Sequence, residues 1–384
     1  MSNWQKLVLF AAAAFVGTVA AGQADTIKIG ATVSATGSAA ALGAPQKESF
    51  EVLPTELGGQ KIEWIVLDDA SDGTKSAANA RKLITEQNVD VLVGSTIAPT
   101  SLPLVDIAAE AKVPLLSPTA TAAVIEPMDD KRRWVFKIVP NDRIMVNATT
   151  DYMAKQGVKT IGFIGFNDAY GDGWFRELEK IAPSKGIKIV AREAFARTDT
   201  SVTGQVLKLL AANPDAILIA ASGTPAVLPQ KSLRERGYNK PIYQTQGVVT
   251  PAFIQLGGKS VEGTVLAAGP FAVVDQLEPN DPIRKTAEAL IAEYKKKFNK
   301  PALIFAAHQW DIATILGRAI PIALKSGKPG SPEFRAALRD AIENLKEVPL
   351  INGFATYSPT DHNGYDQRAA SMMKVKDGKF ELIR

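Results

Sequence analysis

The chain has 384 residues, a net charge of +4, 46% hydrophobic and 22% charged residues, two histidines and no cysteine. That length is too great for one ordinary domain and suits two, and the apolar fraction is enough for sizeable cores. Disulfides, thiolate zinc sites and cysteine nucleophiles are excluded, and the scattered Lys and Arg do not form a nucleic-acid footprint.

At the start, Lys6 precedes an apolar run from Leu7 to Ala21, and Gly22-Gln23-Ala24 supplies small residues at the two positions a signal peptidase reads. This is the pattern of a secretory leader, with cleavage expected after Ala24. The run is shorter than the roughly 20 apolar residues of a membrane anchor. No cysteine follows it, so no lipoprotein anchor is expected.

From Thr26 the chain alternates short β-branched runs with segments of helical period. Strands are predicted at Thr26–Val33, Ile62–Leu67, Val89–Val93, Val113–Leu116 and Val135–Val139, with helices at Pro45–Glu56, Lys75–Gln87 and Ser101–Ala111 between them. The pattern then restarts: helix Ile144–Lys155, strand Thr160–Phe166, helix Gly173–Ser184, strand Ile187–Ala191, helix Val202–Ala212, strand Ala216–Ala221, helix Pro225–Arg236 and strand Pro241–Tyr243. Helices at Pro282–Phe298, Phe305–Leu324 and Pro332–Leu345 precede a hairpin-like end, Met372–Val375 and Lys379–Ile383. Such alternation implies an α/β protein with two doubly wound parallel-sheet lobes.

In open parallel sheets ligands bind beyond the carboxyl ends of the strands. Here those ends are rich in hydroxyls and glycine: Ser34–Ser38, Gly94–Thr100, Ser117–Thr121, Asn167–Gly171, Ser222-Gly223-Thr224 and Gln244–Gln246. Exposed backbone N–H groups and helix N-termini converge there, which suits a carboxylate.

These loops resemble the leucine/isoleucine/valine-binding family of periplasmic proteins, the type I receptors of ABC importers. The matching stretches are Ile29-Gly30 with Thr36-Gly37, Leu67-Asp68-Asp69, Val93-Gly94 with Thr100-Ser101, Val113–Thr121 and Ala169–Gly173, spread over the whole mature chain. The resemblance implies two lobes joined by three crossing segments, placed near Lys137–Pro140, Thr264–Pro270 and Asn352–Tyr357. The first lobe would then hold residues 25–139 and 271–351, and the second 140–270 and 352–384, with residues 1–24 as leader. It also implies a periplasmic, non-enzymatic monomer that captures a small carboxylate by hinge closure, needs no cofactor or metal, and reaches the membrane only through the permease subunits it serves.

Carried over by position, the loop after Gly94 grips the ligand carboxylate, with Ala98 where the family has a serine and Thr100 two residues on. Thr119 offers backbone groups, Thr121 a hydroxyl and a backbone N–H, and Tyr170 closes over the ligand. Gln246 stands where amino-acid binders commonly have an acid for the α-ammonium. Ser222 lies at a second-lobe strand end, and Phe305 or Phe166 would add an aromatic wall. With Gln246 in place, the ligand is expected to be a branched-chain or other amino acid, or alternatively an aromatic or other organic acid without an α-amino group. Asp68, Asp168 and Glu262 are the other acids that would have to reach an ammonium.

Other readings are weaker. His308 lies in an apolar helix and reads as a satisfied packing residue, and no Gly-x-Ser-x-Gly elbow is present. The Asp68–Gly73 turn fails the calcium-loop spacing, because Asn79 stands where a bidentate Glu is required. A ligand sensor that signals without transport remains a third class, since the fold does not fix function.

Overall fold

A computed structural model describes residues 26–384. The expected leader and its cleavage point lie outside the described residues. The first sheet contains β1 (Ile27–Val33), β2 (Glu56–Leu57), β3 (Gln60–Asp68), β4 (Val91–Val93), β5 (Leu115–Ser117) and β6 (Val135–Lys137), in the order β2-β3-β1-β4-β5-β6. Every pairing from β3 to β6 is parallel, and only the short β2 is antiparallel. The second half adds β7 (Thr160–Phe166), β8 (Lys188–Phe195), β9 (Ala216–Ala220), β10 (Ile242–Gln244) and β11 (Val265–Ala268). A small antiparallel pair, β12 (Val348–Leu350) and β13 (Gly353–Ala355), stands apart from both large sheets. Finally β14 (Ser371–Lys376) and β15 (Lys379–Leu382) complete the second sheet, ordered β15-β14-β11-β10-β9-β7-β8, as an antiparallel edge.

The helices are α1 (Ala40–Ser49), α2 (Gly73–Thr85), α3 (Ala98–Ala111), α4 (Asp142–Lys155), α5 (Ala169–Ile181), α6 (Thr203–Ala211), α7 (Val227–Glu235), α8 (Pro251–Gly257), α9 (Pro282–Phe298), α10 (Ile304–Ala323) and α11 (Pro332–Glu343). Central strands such as β4 and β9 are buried along their whole length, which is why they read as continuous apolar runs rather than alternating ones. Among the described residues, no helix is long and apolar enough to cross a membrane.

Both sheets reverse strand order once near their centre, at β1/β4 in the first and β7/β9 in the second. Loops diverge at such a switch point and leave a crevice. Ala98 and Tyr170 lie in the first turns of the helices that follow β4 and β7, and Ser222 lies in the loop after β9. The long α10 explains how the lobes are tied together. Its first turn, Ile304–Ala307, packs in one core with the second lobe, and Ile312–Ala323 packs in the core of the first. Each fully buried Ile or Leu of that helix stabilises by roughly 1.5–3 kcal/mol.

Two of the predicted crossings move. Val265–Ala268 is a strand of the second sheet, so the second crossing begins at Gly269. Tyr357, Tyr365 and Ala369 pack in the first core, Tyr357 edge-on to Phe136 at 5.7 Å, and the chain rejoins the second sheet at Ser371. Burial of Tyr357 against Phe136 keeps this segment on the first lobe beyond the placed crossing.

Candidate functional site

Between the lobes lies a cavity of about 600 Å³ including its mouth. Its walls come from both switch points, from the first turn of α10, and from the crossings, through Val139, Pro140, Gly269 and Asn352. Of the residues expected from the sequence, Ala98, Thr119, Tyr170, Ser222, Gln246 and Phe305 line it.

Thr100 and Thr121 do not line it. Helix α3 starts at Ala98, not Ser101, so Thr100 falls in the first turn, where its hydroxyl donates to the Ile97 carbonyl at 3.0 Å. Pro99 is comfortable in that first turn, where its missing N–H is not needed. The Thr121 hydroxyl donates to the Ala169 carbonyl at 3.3 Å and accepts from the Ala123 amide at 3.3 Å, so it bridges the lobes and caps a short turn.

Tyr170 enters the site because α5 starts at Ala169. Asp168 caps that start, accepting from the Tyr170 amide at 2.9 Å, and the Tyr170 hydroxyl donates to Thr245 at 2.7 Å. The same Asp168 accepts from Arg197 Nε at 2.7 Å through its other oxygen. Arg197 Nη1 donates to Ser222 at 3.1 Å, and its guanidinium lies 4.0 Å over the Phe166 ring. The side chain is 12% exposed and reaches the cavity wall. A guanidinium held by Asp168, Ser222 and Phe166 that also lines the cavity has N–H groups left with which it can meet a carboxylate. Phe166 therefore acts under Arg197 rather than on the ligand.

Arg197 was not singled out in the sequence. The strand β8 runs to Phe195, four residues past its predicted end; the prediction stops early because Arg192 and Glu193 interrupt the apolar run. A basic residue just beyond a strand's carboxyl end was the available signal.

The acids considered for an ammonium do not line the cavity. Asp68 accepts from Thr36 and the Ala70 amide, and these bonds hold its carboxyl below the usual range against a burial cost that acts the other way. Glu262 accepts from the Asp377 amide. Among the described residues, no Asp or Glu lines the cavity. Besides the Asp168 that holds Arg197, Asp142 stands behind the wall, fully buried, and its Oδ1 accepts from Gln246 Nε2 at 3.4 Å. Burial pushes its carboxyl up to about 7, opposed by the charge of Lys137. Burial also pulls Lys137 down to about 8, while its ammonium donates to the Val139 and Pro140 carbonyls at 2.7 and 2.9 Å.

His308 also lines the cavity, with its Nδ1 unpartnered among the described residues, which corrects the expectation of a satisfied packing residue. Burial and then the Lys137 charge lower it to about 3, so the imidazole is neutral.

Residues 26–379 match the periplasmic binding protein family. The chain belongs to that family. The chain is similar to leucine/isoleucine/valine-binding members of that family. It is 26% identical over 368 residues to the leucine-, isoleucine-, valine-, threonine- and alanine-binding protein of Pseudomonas aeruginosa, covering 94% of this chain and 91% of that one. An extracellular ligand-binding receptor from Rhodopseudomonas palustris HaA2 is 51% identical, with a TM-score of 0.90 over 93% of this periplasmic binding protein and 99% of the receptor. A solute-binding protein of an R. palustris ABC transporter, in complex with benzoate, shares the fold at 21% identity and a TM-score of 0.75, over 94% and 96% of the two chains. Members of the family bind small ligands outside the cytoplasm and work with ABC permeases.

Proposed function

We propose that this protein is the exported solute-binding component of an ABC importer, and that it captures a small apolar carboxylate lacking an α-ammonium by hinge closure. The charge of the cavity wall carries this reading. Arg197 faces the cavity, while Leu42, Met145, Ile304, Phe305 and the Tyr170 ring supply apolar surface. Among the described lining residues no carboxylate balances a second ligand charge. An anion gains charge-assisted bonds there, whereas a zwitterion would bury its ammonium unpaired, which is costly.

Amino-acid binding is the second reading, favoured by one observation: Asp142 stands directly behind Gln246. The fold does not choose between them. Solved relatives of 22% and 21% identity hold isoleucine and benzoate respectively, and each shows the fold alone. A sensor would use the same capture without a permease, and binding of the ligand-loaded protein to its permease separates importer from sensor.

A thermal-shift screen of amino acids against aliphatic and aromatic monocarboxylates tests the reading. A ligand present at a hundredfold its Kd stabilises by about 2.7 kcal/mol. Carboxylates without an amino group are expected to raise the melting temperature. A screen in which amino acids alone raise it overturns the proposal.

A further inference from the structure

The hinge end of the cavity is polar, and its polar atoms are unpaired. Asn352 is fully buried and lines the cavity, and neither its Oδ1 nor its Nδ2 has a partner among the described residues. His308, 6% exposed, has an unpartnered Nδ1 on the same wall. The two residues share one end of the site. Asp311, one turn along α10 from His308, accepts from the Ile351 amide at 2.9 Å, and Asn352 follows Ile351 directly. Across from them the second crossing is a glycine. A Cβ on Gly269 would stand 1.9 Å from Asn352 Oδ1, so only glycine lets that side chain lie there.

Buried polar groups without partners cost free energy, and a native wall that gathers three such atoms calls for a partner. We propose that the ligand carries a second polar group, a hydroxyl, at the end away from its carboxylate, and that His308 and Asn352 recognise it. This rests on the carboxylate reading above, in which Arg197 of the second lobe takes the carboxylate. A hydroxyl both donates and accepts. With the imidazole proton on Nδ1, His308 and the Asn352 Nδ2 both donate to the hydroxyl oxygen, and the Asn352 Oδ1 accepts its proton, so each orphan finds a match. A methyl group at the same place satisfies none of them. A second carboxylate would need a cation there, and the buried Lys137 ammonium already donates to the Val139 and Pro140 carbonyls. Sites built to hydrogen-bond a hydroxyl reject analogues that lack it.

The test is calorimetric titration of the wild-type protein with matched pairs: benzoates bearing a meta or para hydroxyl against their methyl isosteres, and an ω-hydroxy fatty acid against its methyl-ended isostere. One hydroxy acid is expected to bind at least tenfold more tightly than its isostere, and Asn352→Leu is expected to bring that ratio close to unity. Equal or tighter binding of every methyl isostere overturns the inference and leaves the carboxylate reading standing, with water then serving the orphan atoms. If none of the acids binds, the carboxylate reading fails and this inference with it. A ratio unchanged in Asn352→Leu overturns the assignment to Asn352. Should that variant not fold, the wild-type pairs still decide.

Discussion

Asp69 follows β3 in the first lobe and Asp168 follows β7 in the second, each at the carboxyl end of a parallel strand. Asp69 is fully buried and accepts from the Ser95, Ser34 and Thr32 hydroxyls at 2.6, 2.7 and 3.2 Å, and from the Ser71 amide at 3.0 Å. All its partners lie in its own lobe, and it pins three loops into one rigid wall. Asp168 caps one helix and holds one cation, and that cation faces the other lobe. Similar positions thus serve different ends. The first lobe uses its carboxylate to shape a neutral surface, and the second uses its own to aim a charge.

Removing each carboxylate's function should separate the two. Asp69→Ala orphans three buried hydroxyls and the part-buried Ser71 amide at once. It is expected to lower unfolding stability by roughly 3 kcal/mol or more, with a much smaller change in ligand affinity per folded molecule. Urea unfolding and calorimetry measure both. Arg197→Gln should do the opposite: carboxylate affinity falls by roughly 1.5–3 kcal/mol, the worth of a hydrogen bond to a charged group, while the fold persists. Wild-type affinity in Arg197→Gln would remove the cation from the site.

The comparison also has a pH arm at Asp142. Its carboxyl is raised from 3.8 to about 7 by burial, so the native state holds the proton more tightly than the unfolded chain. Stability from this group is fully present below the unfolded value and is lost as pH rises toward about 7. Lys137, lowered to about 8, contributes its own slope only above that window. Asp142→Asn is therefore expected to flatten the fall in melting temperature between these limits. An unchanged pH profile would count against a buried, protonated Asp142.

How far the sequence carries the fold follows from the same contrast. Thr160–Phe166 and Pro282–Phe298 match their predicted spans, the first a buried apolar run, the second bounded by Pro282 and a left-handed Asn299. β11 was read as part of a crossing, because its four residues are flanked by turn chemistry on both sides. The short β12–β13 pair carried no strand signal, since it pairs only with itself. Helices α3 and α5 begin earlier than periodicity placed them. Proline and glycine in a first turn look like loop, and only the cap at Asp168 shows otherwise. In the site, Ser222 came from the hydroxyl-rich strand ends and Thr119, Tyr170 and Gln246 from the family resemblance, and all four line the cavity. Arg197 and Asn352 escaped because each depends on tertiary placement: one on a strand longer than its pattern, the other on a crossing folded against Gly269.

The central claim is that the second lobe presents a cation and no anion to the ligand, and calorimetric titration of wild-type protein with phenylalanine against phenylpropionate tests it most directly. The two differ by the ammonium alone. Tighter binding of phenylpropionate, by tenfold or about 1.4 kcal/mol, is the result expected here. If phenylalanine wins by that margin, an acid such as Asp142 reaches the ammonium past Gln246, and the charge assigned to the cavity is wrong.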